Sequence, residues 1–195
     1  WHAKGYSVDR YRESLARGDG RKLPALEDLG FRMTNLLQMK LPTGMSGARQ
    51  LFQDFLERID DYRDKRDLPG VRGVSYLSVH LRFGTISIRE LARTAASVQS
   101  QGSDAWLSEL IWREFYVAVL HHFPHVVQGA FKPEYDAIRF PNPEGHFAAW
   151  CEARTGYPLV DAGLRELWHT GWMHNRVRLV VASFLVKHLL IGWQA

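Results

Sequence analysis

The chain has 195 residues, 46% of them hydrophobic and 24% charged, proportions that fit a globular domain with a sizeable core and exclude a disordered or fibrous chain. A formal net charge of +4 permits an anionic partner without requiring one, and the single cysteine, Cys151, excludes an intramolecular disulfide and fits a reducing compartment. The longest apolar stretch, residues 179–191, is interrupted by Ser183, Lys187 and His188 and falls short of a membrane span, and no basic, apolar leader opens the sequence; the expectation is a cytoplasmic protein.

In chain order, residues 1–44 read as a polar lead-in punctuated by Gly18, Gly20, Pro24, Pro42 and Gly44. The GDG at 18–20 has no strand before it and no third glycine, which argues against a nucleotide loop. From residue 45 the pattern sharpens into a domain running to 195. Ala48, Leu51, Phe52, Phe55, Leu56, Ile59 and Tyr62 recur at helical spacing, predicting one four-turn amphipathic helix stopped by Pro69 and Gly70. A loop with Ser75 and Ser78 leads into a short helix ending near Gly84, with Ser78 as its expected cap. Ser87 and Glu90 form a capping-box pair for a helix through Ala96. Residues 97–104 read as a loop, followed by a helix from WLSELIWREFY (106–116) to about His122. Pro124, Pro133, Pro141 and Pro143 mark a long connection before a helix over 145–154. Pro158 opens the next helix, which Thr170 and Gly171 close. A last helix is expected over 172–191, apolar nearly all round past Arg178 and therefore buried. No period-two run occurs, so the fold is read as all-α.

Three places carry chemistry that helix packing does not need. On residues 106–118, Leu107, Leu110, Ile111, Val117 and Ala118 make the expected core side, while Glu109, Trp112, Arg113 and Tyr116 share the other. Glu109 and Arg113 alone would read as a solvated i,i+4 ion pair. Trp112 weakens that reading, because an outward indole usually has a base or ring to stack on. In the last helix Asn175 and Arg178 sit at i,i+3 on its expected buried start, where an amide and a guanidinium both need partners, neighbouring carbonyls or a polar ligand. The SYLS loop (75–78) offers hydroxyls and backbone amides to an anion, or to plain capping. Arg113, Arg165, Arg176 and Arg178 interleave with Trp112 and Trp172, the general form of a nucleic-acid surface. His121, His122 and His125 include an i,i+4 pair, but Pro124 interrupts the helix and no other ligand stands at metal spacing.

DYRDKRDLPG (61–70), SYLSVHLRFGTIS (75–87), ELIWREFY (109–116), TGYPLVDAG (155–163) and GWMHNRVR (171–178) together resemble, in order and spacing, the flavin-binding helical domain of DNA photolyases and cryptochromes. The resemblance is closest to the bacterial class I cyclobutane pyrimidine dimer photolyases, on Asn175 in MHNR. It implies a carbon–carbon lyase that flips a pyrimidine dimer out of UV-damaged DNA and splits it by light-driven electron transfer from reduced FAD; the alternative within the family is a light-sensing cryptochrome without repair.

The resemblance also implies roles. Glu109, Trp112, Asn175 and Trp193 would be catalytic. Tyr62, Ser75, Tyr76, Leu77, Ser78, Arg113, Asn175 and Arg178 would bind FAD, and Glu109, Trp112, Arg113, Tyr116, Trp172, Met173, Asn175 and Arg176 would bind DNA. Val74 and Tyr76 replace the threonine and arginine of the family's TSRLS. Phe140 stands where the surface tryptophan of the electron relay belongs, and Trp193 is the middle member. The segment that completes the flavin pocket and the α/β antenna domain are absent from this sequence, so weak flavin binding is expected here, with the antenna chromophore bound elsewhere in an intact, monomeric protein.

Overall fold

The computed structural model describes residues 24–25, 27–31, 39 and 41–194. The expected lead-in and its GDG therefore lie mostly outside the described residues. The described part is helical without strands. No helix in it is long and apolar enough to cross a membrane.

Helix α1 (Gly44–Leu56) begins the amphipathic stripe, which a 3₁₀ turn (Ile59–Asp61) and the short α2 (Tyr62–Lys65) continue. Helical spacing predicts one helix over these residues, but the chain departs from helical geometry at Arg58 (φ −132°). The stripe survives the break, because Ala48, Phe52, Phe55, Ile59 and Tyr62 are all buried. After a loop come α3 (Ser78–Phe83), ended by Gly84 at φ +68°, and α4 (Ile88–Val98), whose first turn is capped by the Ser87 hydroxyl accepting from the Glu90 amide. Ser78 is the first helical residue rather than the cap, a position Leu77 takes.

Helix α5 (Gln101–His122) starts within the stretch read as a loop. Ser100 and Ser103 exchange side-chain and backbone hydrogen bonds of 3.0 and 3.1 Å, a reciprocal cap built from two serines that the Ser/Glu template does not flag. Two 3₁₀ turns (Pro124–Val127 and Pro133–Ala137), each opened by proline, lead to α6 (Glu144–Cys151). Helix α7 (Pro158–Thr170) ends at Gly171 in the left-handed region, φ +70°, as expected. Helix α8 (Asn175–Ser183) is shorter than expected and passes into a π turn (Phe184–His188).

Two apolar cores result. Phe52, Phe55, Tyr62, Leu77, Leu91, Trp106 and Leu110 make the first, with Trp106 tilted 4.9 Å from Phe55. Ala153, Val160, Leu164, Met173, Val177, Val181 and Phe184 make the second. Backbones approach closely in each. A Cβ on Gly102 would collide with the carbonyl oxygens of Ile59 and Asp60, and one on Gly163 with Val177.

The burial pattern corrects the reading of two helices. Ile111, Val117 and Ala118 are exposed, because α5 is covered only through Leu110 and its second half projects past the first core. Helix α8 exposes Leu179, Val180 and Ala182 and buries one face alone, through Val177 and Val181.

Candidate functional site

The DYRDKRDLPG stretch is the hub. The Arg66 guanidinium lies 5.7 Å from the Tyr62 ring and donates to Glu109 Oε1 at 2.6 Å, so Glu109 pairs across the fold and not with Arg113. Asp67 accepts a two-pronged pair of hydrogen bonds from Arg176, 2.8 Å from Nε and 2.7 Å from Nη2, and its Oδ1 lies 3.6 Å from Arg66 Nε. Glu109, Arg66, Asp67 and Arg176 thus form one chain of alternating charge leading from α5 to the first turn of α8.

These contacts shift the groups involved. Arg176's hydrogen bonds hold the Asp67 carboxyl below the usual carboxylate range. Burial, reinforced by the Glu109 charge, pushes the Tyr62 phenol up to about 12.

Trp112 is half-exposed beside two further exposed rings of α5, with Phe115 edge-on at 5.4 Å and Tyr116 at 6.1 Å. Arg113 turns away from Glu109 and points its Nη2 at the Leu81 carbonyl of α3, 3.5 Å off. The outward face read from the sequence is therefore present, as aromatic surface next to a tethered carboxylate.

Asn175 and Arg178 share the start of α8, but both are exposed, against the expectation of burial. His174, not Asn175, takes the buried place, and its Nδ1 accepts from the Arg176 amide at 3.1 Å as the helix cap. Met173 is buried in the second core, which withdraws its side chain from the expected DNA surface. Trp172 tilts against the Tyr76 ring at 5.2 Å instead of facing outward alone.

The 75–78 loop is held from beneath. Arg58 Nη1 donates to the carbonyls of Arg72 and Val74 at 3.0 and 2.8 Å, and Tyr76 adopts φ +58°, turning the chain sharply. Ser75 is half-buried and Ser78 exposed. The Leu77 side chain is wholly buried in the first core, so that residue has only backbone to offer a ligand. A cavity of about 630 Å³ opens behind this loop, lined by Leu51, Tyr76, Val79, Phe83 and Trp172 among others; Glu109, Trp112 and Asn175 do not line it.

Near the end of the chain, the Gly192 amide donates to Asn142 Oδ1 at 2.6 Å and the Asn142 amide to the Leu190 carbonyl at 3.3 Å. This pairing sets Phe140 beside the backbone that carries Trp193, itself half-exposed. Arg165 is occupied structurally, donating to the Ala153 carbonyl at 3.0 Å.

Sequence reasoning missed three residues here. Arg66 and Asp67 stand inside DYRDKRDLPG, where the resemblance implies a role for Tyr62 alone. Asp161, in TGYPLVDAG, is a buried carboxylate that accepts from the Thr155 amide (2.8 Å), the Thr155 hydroxyl (2.6 Å) and the Gly156 amide (3.0 Å). An acid among apolar residues in a helix's first turn was the available signal.

Two helical cores thus carry a cluster of edge-on and tilted aromatics on α5, a tethered carboxylate and the guanidinium groups paired with it. Residues 106–195 match the family described as FAD binding domain of DNA photolyase. The deoxyribodipyrimidine photo-lyase of Synechococcus sp. is 41% identical over 182 residues, which are 89% of this chain and 37% of that protein. A bacterial class III photolyase from Agrobacterium tumefaciens superposes with a TM-score of 0.78 at 34% identity, over 98% of this chain and 38% of the other. A Synechocystis cryptochrome gives a TM-score of 0.78 at 29% identity, over 88% and 38%. The chain belongs to the DNA photolyase/cryptochrome family, within its FAD-binding helical domain. It spans well under half the length of these relatives.

Proposed function

We propose that this chain is the flavin- and DNA-binding part of a deoxyribodipyrimidine photolyase, a lyase that splits UV-induced pyrimidine dimers. The observation that carries this reading is the juxtaposition on α5 of a half-exposed Trp112 and a Glu109 carboxylate tied, through Arg66 and Asp67, to the start of α8. Relatives at about 40% identity that bear the photolyase name support it.

Residues 45–195 would form the helical domain and 1–44 a lead-in, in a monomeric cytoplasmic protein whose antenna chromophore binds outside this chain. The donor set suits FAD. Ser75, Ser78 and the turned backbone at Tyr76 and Leu77 offer hydroxyls and amides to the diphosphate, and Arg113, Asn175 and Arg178 offer amide and guanidinium groups to polar ring edges. Tyr62, buried and protonated to about pH 12, would wall that site from the core side. Reduced FAD, when bound, supplies the photoexcited electron.

The chain's own residues do the rest. Trp112 stacks on an extruded base, with Tyr116 extending the aromatic surface. Glu109 hydrogen-bonds that base and strengthens its hold as negative charge develops there. Arg176 and Trp172 flank the DNA side, and Trp193 relays electrons.

The test uses the full-length protein. Trp112→Ala should weaken binding to dimer-containing DNA by roughly 1–3 kcal/mol, the worth of one base–aromatic stack, with flavin content unchanged. Glu109→Ala should lower the yield of ring splitting more than affinity. Equal affinity of the parent for damaged and undamaged DNA at one salt concentration would favour a cryptochrome-like sensor and reject repair.

A further inference from the structure

The candidate site straddles a seam. Glu109, Trp112 and Arg113 belong to the half built on the first core, whereas Asn175 and Arg178 sit on α8, which is built on the second. Any ligand held by both sets needs the halves at a fixed spacing. Among the described residues, the side-chain links that cross the seam include two at the candidate site. One is the Tyr76–Trp172 ring contact, tilted at 47°, which can slide at little cost. The other is the Arg176–Asp67 fork, spanning 109 residues of sequence, and two parallel hydrogen bonds fix distance and angle together.

Asp67 is placed to transmit position. It directly follows Arg66, which grips Glu109, so the same dipeptide fixes the carboxylate of one half and the guanidinium of the other. The Arg66–Glu109 pair is part-buried, at 28% and 39% exposure, and the Asp67–Arg176 pair is exposed, at 49% and 47%, so solvent weakens the tether and its two-pronged geometry does the positioning.

We infer that Asp67 is a positioning residue: by holding Arg176 it sets the spacing of the two halves, and so of Glu109 against Asn175 and Arg178. The geometric part is independent of the ligand; the consequence for DNA rests on the repair reading above.

Two measurements separate these parts. In the 195-residue chain carrying Cys151→Ser, spin labels at Ala96→Cys on α4 and Ala162→Cys on α7, both exposed, report the separation of the halves by double electron–electron resonance. The parent should give one narrow distance distribution, Asp67→Asn a clearly broader one, and Asp67→Glu should restore most of the narrowness. An unchanged width in Asp67→Asn overturns the proposal.

In the full-length protein, Asp67→Ala and Arg176→Ala should each weaken binding to dimer-containing DNA by up to about 5-fold, the upper scale of an exposed ion pair, and the double variant should bind no worse than Arg176→Ala alone. Additive losses would show that Asp67 does not act through Arg176. A parent without preference for damaged DNA would remove the repair reading and leave the spin-label distances to decide the positioning role.

Discussion

Gly102→Ala is expected to cost more than about 3 kcal/mol and to disturb the site as well as the fold. Helix α5 rests there directly on the 3₁₀ turn at Ile59–Asp61, and the new Cβ would collide with the carbonyl oxygens of Ile59 and Asp60. Both are backbone atoms with no rotamer to change, so the helix has to lift. Lifting α5 opens the first core at Trp106 and draws Glu109 away from Arg66. Gly145→Ala is the control. It lies in the first turn of α6 with open space around the added carbon, so it should be neutral or gain up to about 1 kcal/mol of helix propensity. Urea unfolding of the three proteins reads both effects, and a Gly102→Ala midpoint equal to the parent's would contradict the close approach.

Asp161→Ala should destabilise the chain by roughly 3 kcal/mol, because three donors at the start of α7 lose a charged acceptor in a buried place. Asp161→Asn should not rescue it, since an amide nitrogen would face at least one of those donors. The loss also has a pH signature. Burial raises the carboxyl's pKa, but the hydrogen bonds from Thr155 and Gly156 outweigh it and hold the group below its ordinary value. A depressed folded pKa means that the parent's advantage is full above the ordinary carboxylate pKa of about 3.9 and disappears as pH falls through the lower folded value. Parent and Asp161→Ala stability should therefore converge in strong acid. A difference that stayed constant from pH 7 to pH 2 would show that the carboxylate's charge is not what holds the loop.

How much was legible in the sequence depends on whether a residue's role is local. The apolar stripe from Ala48 to Tyr62, the Gly84 and Gly171 stops, the Ser87 cap and the proline openings were readable because each depends on spacing or on the backbone freedom of one residue. Trp112 could be called outward-facing for the same reason. The partners of the charges could not. Glu109 has an arginine one turn away on its own helix, yet it pairs with Arg66, 43 residues distant, because Arg113 is drawn to the end of α3. Nor does helical periodicity say how far a core extends, which is why Ile111 and Val117 were read as buried.

The sequence by itself determined an all-α chain, the faces of its helices and, through five motifs in register, its family. Those features follow from the periods of the backbone and from residues in order. Only the tertiary structure decided that one helix would break at Arg58, that Met173 and His174 would be buried while Asn175 stayed exposed, and that Arg66 and Asp67 would join the two halves of the site. Such outcomes depend on which elements come to lie side by side, and an ion pair or a core contact between residues 43 or 109 positions apart leaves no period in the chain that makes it.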